Sequence, residues 1–356
     1  MREALRLARR SPVWPYPNPW VGCVIVRDGR IVGRGFHRGL GSNHAEVEAL
    51  GAAGSRAQGA ALYVALEPCC HYGHTPPCTD AIIKSGIREV CYALEDPNPL
   101  VSGKSAKILR ARGLLVRRGL CSREAAALNE VYLKFRATGM PFVTAKVATS
   151  LDGKIATRTG QSKWITDAQA RQRSRQLRAQ HQAVLVGINT VLADNPHLGP
   201  RTPGAPEPWR IVLDSHLRIA PECQVVKSKK CIVACTAEAS SQKKARLTRC
   251  GVSVMTFKGK RVPLKRLLSK LAQQGIISLL VEGGGEVLGS FFDLRLVDRV
   301  CWFMSPVILG SSKSRMAVAG TGAARLADAS WLRNCGIEQV GKSWLVRGNL
   351  SAWARD

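Results

Sequence analysis

The sequence predicts an α/β protein of two successive domains. The chain has 356 residues, more than the roughly 100–200 that one domain usually holds. Short apolar runs alternate with helix-like segments along its whole length, the pattern of layered α/β architecture. That pattern restarts near Thr138-Gly139-Met140-Pro141. Residues 136–141 are therefore the expected linker, with domains at 1–139 and 140–356.

Each element of the first half has a local reason. Residues 1–10 suit an amphipathic helix, and Ser11-Pro12 and Trp14-Pro15 interrupt any apolar stretch that would make a targeting signal. Residues 21–26 and 31–36 are apolar runs joined by Arg27-Asp28-Gly29-Arg30. Asp-Gly between such runs marks a hairpin. Residues 44–53 read as a helix capped by Ser42 or Asn43. A strand at 61–66 ends at Glu67-Pro68, and a helix at 79–85 stops at Gly86. A strand at 87–94 is closed by Asp96-Pro97-Asn98-Pro99.

In the second half, residues 142–148 form a strand that turns at Ser150-Leu151-Asp152-Gly153. A polar helix covers about 167–180 and a buried strand 183–187. A loop rich in Pro and Gly spans 195–208, and further strands are expected at 210–213, 231–235, 276–281 and 300–303. No internal repeat or low-complexity segment interrupts this order.

Composition narrows the class. The 45% apolar content suits a globular chain. No run of about 18 apolar residues exists, so no membrane span and a cytoplasmic protein are expected. The net charge of +28 concentrates anions, and also serves plain solubility. Much of it lies in 223–270, at Lys229, Lys230, Lys243, Lys244, Lys260, Arg261, Lys265 and Arg266. Few aromatic residues interleave there, unlike a single-strand-binding platform. Most of the 12 cysteines are scattered singly. Cys23, Cys91, Cys231 and Cys301 fall in apolar runs, as buried thiols do.

Cys69, Cys70 and Cys78 cluster, and His44-Ala45-Glu46 opens a predicted helix. Pro68-Cys69 follows a strand and is expected to turn into helix. One imidazole and two thiolates suit Zn²⁺ and leave a fourth position for water. Zinc lowers the pKa of such a water to about 7. Glu46, two residues beyond His44, is near enough to move protons without ligating the metal. His-x-Glu followed by Pro-Cys is the signature of zinc deaminases of bases. A closed structural zinc knot, with Cys70, His71 or His74 as fourth ligand, is the inert alternative.

Nucleoside and nucleic-acid deaminases usually carry Cys-x-x-Cys, whereas this chain has the longer Cys69-Cys70-His71-Tyr72-Gly73-His74-Thr75-Pro76-Pro77-Cys78. That segment, Pro17-Asn18-Pro19-Trp20-Val21-Gly22, His44-Ala45-Glu46 and Asp96-Pro97-Asn98-Pro99 together resemble one family. It is the bifunctional deaminase/reductase enzymes of riboflavin biosynthesis. The second half agrees through Ser150-Leu151-Asp152-Gly153-Lys154, Ser162-Lys163-Trp164-Ile165-Thr166, Asn189-Thr190-Val191-Leu192-Ala193-Asp194-Asn195-Pro196 and Val281-Glu282-Gly283-Gly284-Gly285.

The resemblance implies a cytidine-deaminase-like three-layer α/β/α domain over 1–139, a zinc-dependent deaminase. A dihydrofolate-reductase-like α/β domain over 140–356, an NADPH-dependent reductase, would follow. The implied substrate is a small phosphorylated pyrimidine, with neither nucleic acid nor membrane as partner, and the implied assembly is a homo-oligomer. Zinc would be held by His44, Cys69 and Cys78, with Glu46 as proton shuttle. Asn18, His37, Asp96 and Asn98 would line the first pocket, although turn formation explains Asn18, Asp96 and Asn98 equally, and His37 suits a surface.

Glycines at a strand-to-helix turn let backbone approach a phosphate, but Glu282-Gly283-Gly284-Gly285 is no G-x-G-x-x-G and suits a tight turn as well. The resemblance makes Gly283, Gly284 and Gly285 an NADPH site, with Ala148, Thr149, Trp164, Thr190, Asp194 and Ser215. It makes Ser162, Arg178, Leu198, Arg201 and Glu282 substrate-binding, arginine suiting a phosphate through its planar fork. Two departures stand out. His74 occupies a place where Lys or Arg is common in the family, and Gly199-Pro200 replaces an expected Thr and variable residue. A tRNA-type base deaminase with a basic C-terminal binding domain is the alternative that the charge favours. A non-catalytic zinc-stabilised binding module is a third.

Overall fold

The computed structural model describes residues 1–11, 17–39, 41–73 and 75–350. His74 and Trp14-Pro15 lie outside the described residues. The chain divides into two compact units, Met1–Gly139 and Met140–Asp356.

Unit 1 is built on a five-stranded sheet. Helix α1 (Arg2–Ala8) precedes the hairpin β1 (Gly22–Arg27) and β2 (Arg30–Phe36). Helix α2 (Ala45–Ala53), β3 (Ala61–Val64), α3 (Cys78–Lys84) and β4 (Glu89–Tyr92) follow. Helix α4 (Lys104–Ala111), β5 (Leu115–Arg118) and α5 (Ser122–Thr138) complete the unit. The strand order is β2-β1-β3-β4-β5. The β1 pairings are antiparallel, and β3, β4 and β5 run parallel. Alternate residues of β1 face opposite sides, as a period of two requires. Cys23 and Ile25 join a core with Ala45 and Ala49 of α2 and Ile82 of α3. Val24 packs instead with Ala4 and Leu7 of α1. Helices thus cover both faces, the predicted three-layer arrangement. A Cβ on Gly35 would strike the Ala45 carbonyl. Only glycine lets the start of α2 press so closely on β2.

Unit 2 carries a nine-stranded sheet. Its elements are β6 (Phe142–Thr149), α6 (Ala168–Ala179), β7 (Ala183–Gly187), α7 (Ile188–Asp194), β8 (Trp209–Leu213), β9 (Cys231–Thr236), α8 (Ser241–Arg249), β10 (Ser253–Phe257), α9 (Leu264–Gln273), β11 (Ser278–Val281), α10 (Gly285–Asp293), β12 (Arg299–Met304), β13 (Arg333–Val340) and β14 (Ser343–Asn349). The strand order is β10-β9-β8-β7-β11-β6-β12-β14-β13. All neighbours from β10 to β12 are parallel, and β14 and β13 add antiparallel pairs. Ala183 and Leu185 of β7 enter one core while Val184 and Val186 enter the other. Such a sheet is buried on both faces.

Strand β11 enters between β6 and β7, so chain direction across the sheet reverses there. Crevices outside the carboxyl ends of strands at such a reversal are where open α/β sheets bind ligands.

Several expectations are corrected. The α2 cap is His44 itself, extended at φ −71 ψ 157, not Ser42 or Asn43. Helix α3 is opened by Cys78, while Cys69 stays in the preceding loop. Residues 136–138, expected in a linker, are the last turn of α5, which ends at a left-handed Gly139.

Candidate active sites

In unit 1 the ends of several elements converge on one cavity of about 210 Å³. His44 caps α2, Cys78 opens α3, and their ligand atoms and that of Cys69 lie within 4.8 Å of one another. His44 Nδ1 is 3.2 Å from Cys78 Sγ and 3.4 Å from Cys69 Sγ. The Cys78 backbone N–H donates to Cys69 Sγ at 3.3 Å. The Cys78 thiol, then His44 and that N–H, pull the Cys69 thiol down to about 4. The Cys69 thiolate and burial push Cys78 well above the usual thiol range. One thiol of the pair thus keeps its proton until a cation compensates both. An N,S,S set of this spacing fits Zn²⁺.

Supporting groups orient this set. Thr75 Oγ1 lies 3.4 Å from His44 Nε2, holding the ring through its free nitrogen. Glu46 is buried in the first turn of α2. Burial first, then the Cys69 charge, raises its carboxyl to about 7.

All four residues expected in this pocket do line it, as do Thr75, Glu67, Tyr132 and Arg136. His37 is buried, not at the surface. Its Nδ1 faces the Asn43 carbonyl at 3.2 Å, so that nitrogen carries the proton. Its Nε2 then accepts from the Asn18 side-chain amide at 3.0 Å, and burial lowers its pKa. Asp96 accepts at Oδ1 from the Asn98 backbone at 2.9 Å, and from the Tyr132 hydroxyl at 2.9 and 3.1 Å. Burial raises the Asp96 carboxyl. Glu67 takes the Gly103 N–H at 3.1 Å through Oε2, and its buried Oε1 has no protein partner. Sequence reasoning missed Tyr132 and Arg136, which lie on the unpredicted α5.

In unit 2 the residues expected at the cofactor follow the carboxyl ends of neighbouring parallel strands. Ala148 and Thr149 end β6. Thr190 and Asp194 lie on α7 just after β7. Ser215 follows β8, and Gly283, Gly284 and Gly285 follow β11. A Cβ on Gly283 would stand 2.8 Å from the Val287 side chain, and one on Gly285 would strike the Met316 carbonyl. Packing therefore explains those two glycines. Gly284 is different: its Cβ would have ordinary room, 3.6 Å from Thr190 Oγ1. It caps α10 without a side-chain bond, so first-turn N–H groups are left for an anion. That cradle fits a dinucleotide phosphate.

Arg178 of α6 forms a fork with Glu282, donating from Nε at 2.6 Å and Nη2 at 2.9 Å. Its Nη1 donates to the Gly199 carbonyl at 3.2 Å. Lys146 of β6, absent from the sequence expectations, lies 3.5 Å from Glu282 Oε2. Burial lowers the Lys146 pKa. Burial alone would raise Glu282, but the Arg178 and Lys146 charges overcome it and hold the carboxyl at about 2. Ser162 Oγ donates to Asp194 Oδ1 at 3.3 Å. Trp164 is exposed, with the Arg171 guanidinium 4.4 Å above its ring. Arg201 is exposed, whereas the Leu198 side chain is buried in a core, so only its backbone can face a ligand.

A model described as the RibD C-terminal domain matches residues 141–346. One described as the cytidine and deoxycytidylate deaminase zinc-binding region matches 1–94. A Bacillus amyloliquefaciens riboflavin biosynthesis protein RibD is 44% identical over 344 residues, 96% of this chain and 93% of that protein. The chain belongs to the RibD family. The Aquifex aeolicus RibD is 42% identical over 97% of this chain and 96% of that protein. The solved Acinetobacter baumannii RibD superposes with a TM-score of 0.89 at 37% identity, covering 98% of this chain and 97% of that one. A Thermotoga maritima diaminohydroxyphosphoribosylaminopyrimidine deaminase/5-amino-6-(5-phosphoribosylamino)uracil reductase does so with 0.82 at 34% identity, covering 99% and 97%.

As a RibD-family protein the chain is a bifunctional deaminase/reductase enzyme of riboflavin biosynthesis, using Zn²⁺ and NADPH. Its basic second half is a RibD C-terminal domain, which disfavours the tRNA-type alternative. No helix among the described residues is long and apolar enough to cross a membrane.

Proposed function

We propose that unit 1 hydrolytically deaminates 2,5-diamino-6-(5-phosphoribosylamino)pyrimidin-4-one. Unit 2 then reduces the ribosyl group of the resulting 5-amino-6-(5-phosphoribosylamino)uracil to ribityl. The observation carrying this reading is the convergence of His44, Cys69 and Cys78 beside a buried Glu46, in a chain continued by a RibD C-terminal domain. His44, Cys69 and Cys78 hold the metal. Bound zinc supplies Lewis acidity and acidifies water to about pKa 7. Glu46, buried in the first turn of α2 and two residues beyond the ligand His44, takes a proton from the attacking water and delivers protons to the ring nitrogen and departing ammonia. Asn18, His37, Asp96 and Asn98 grip the pyrimidine, His37 as a neutral, fixed tautomer.

In unit 2, Ala148, Thr149, Trp164, Thr190, Asp194, Ser215 and Gly283 to Gly285 bind the nucleotide, whose nicotinamide supplies hydride. Ser162, Arg178, Arg201, Glu282 and the Leu198 backbone hold the substrate. Lys146, 3.5 Å from Glu282 among these substrate residues, is placed to protonate the sugar oxygen as hydride arrives, with Asp194 the other candidate. The enzyme works as a cytoplasmic homo-oligomer on this small substrate and not on nucleic acid.

The test is NADPH oxidation with the diaminopyrimidine phosphate as sole substrate, zinc present or stripped. Zinc-dependent oxidation is expected, because reduction waits for the deaminated product. Ammonia release without oxidation removes the proposal for unit 2, and neither signal from zinc-loaded protein removes both.

A further inference from the structure

We infer that Arg136 is the specificity-determining residue of unit 1, the cation that selects a 5′-phosphorylated over an unphosphorylated substrate. This rests on reading unit 1 as a phosphoribosyl-pyrimidine deaminase. The walls of its cavity are poor in cations. Glu46, Glu67 and Asp96 contribute carboxyls, and Arg136 is the one Lys or Arg among the described lining residues. Without it a phosphate monoester, about −2 in charge, would find no Lys or Arg among the described lining residues.

Arg136 is also free to respond. It lies in the last turn of α5 and is exposed. Among the described residues it makes no ion pair; aromatic faces hold it instead. Its guanidinium carbon stands 5.3 Å from the Tyr132 ring centroid and 5.9 Å from that of Phe135. Held by aromatic rings and not by a carboxylate among the described residues, the guanidinium keeps N–H groups for an incoming anion. The same Tyr132 donates its hydroxyl to Asp96. Arg136, Tyr132 and Asp96 therefore join the cavity wall where the base is read to the place where a phosphate can be met. The competing account is that Arg136 only complements the negative end of the α5 dipole. That role would be indifferent to the substrate's phosphate.

The experiment measures ammonia release by zinc-loaded full-length protein from the diaminopyrimidine ribotide and from its dephosphorylated form. Wild type should favour the phosphorylated form in kcat/KM by about 10- to 100-fold, the worth of one or two charge-assisted hydrogen bonds. Arg136→Met should lose most of that preference, chiefly through KM, and Arg136→Lys should retain part of it. Ribose 5-phosphate should compete with substrate in wild type and fail to do so in Arg136→Met. An Arg136→Met protein that keeps the full preference overturns the inference, as does one that loses equally on both substrates. Wild type acting equally on both forms overturns the inference alone. Wild type releasing ammonia from neither overturns the deaminase reading as well.

Discussion

The two sites solve opposite electrostatic problems. In unit 1, two thiols, an imidazole and a buried carboxyl converge, and each thiolate of the Cys69–Cys78 pair disfavours ionisation of the other. In unit 2, the Arg178–Glu282–Lys146 cluster is complete from protein groups alone, with the carboxylate gripped from two sides. The difference teaches where function depends on an added ion and where it depends on prior organisation of the chain's own charges. It also separates what perturbation should do: at the first site chemistry fails while the fold persists, and at the second both fail together.

The largest expected effect sharpens that contrast. Glu46→Gln keeps the three metal ligands and removes the proton carrier. Deamination should fall by about 100- to 10,000-fold, with zinc content unchanged by metal analysis. Reduction of directly supplied deaminated substrate should continue. Normal ammonia release from the variant would sink the proposed mechanism.

The same contrast explains what was legible in the sequence. The metal site is legible because His44 and Cys78 stand at helix starts and Cys69 lies in the short loop just before the second, which leaves His44-Ala45-Glu46 and Pro68-Cys69 as short contiguous signals. Lys146 sends no such signal, because it sits in an apolar strand and its partner Glu282 follows β11, adjacent in the sheet but far along the sequence. Helix α5 was missed because its periodicity breaks at Asn129, non-helical at φ −107 ψ 15. That side chain holds the Trp20 backbone instead, accepting at 2.7 Å and donating at 3.0 Å. Its last turn then looked like a linker, which concealed Arg136. Strand β13 is exposed along almost its whole length, so no apolar alternation announced it.

Next in size is Glu282→Gln. Removing the carboxylate leaves Arg178 and Lys146 buried and facing each other, a loss of about 3–5 kcal/mol in unit 2 stability. The wild-type pH dependence follows from the depressed pKa. Glu282 is ionised in the folded state down to about 2 but protonates near the ordinary carboxylate value of 4.5 when unfolded. Its contribution is fully present above about 4.5, fades as pH falls, and is gone below about 2. Denaturant titrations should therefore show wild type losing stability over that window and the variant losing less. Equal slopes would mean the ion cluster is not what holds this region.

Arg201→Ala is a smaller perturbation because the side chain is exposed. Loss of its proposed phosphate contact should lower kcat/KM for reduction by about tenfold and leave ammonia release as it was. Equal loss of both activities would break the independence of the two sites.

The smallest effect concerns Gly199, where the family resemblance suggests threonine. A Cβ there would lie 2.7 Å from the His197 ring and 3.0 Å from Arg210 Nη2. Arg210 is buried, tied to the His197 carbonyl at 2.8 Å and to Glu207 at 2.7 Å. In this chain those side chains already occupy the space a threonine needs. Gly199→Thr should therefore not improve the reductase. It should cost about 1–3 kcal/mol through overpacking, toward the low end because the colliding atoms are side-chain ends. Calorimetry should show unit 2 melting a few degrees lower with zinc retained in unit 1. The Gly199 carbonyl accepts from Arg178, so any shift of this loop also loosens the ion cluster, and reduction should weaken before deamination does. A variant with higher reductase activity and an unchanged melting point would show that glycine is a missing hydroxyl rather than a fit to His197 and Arg210.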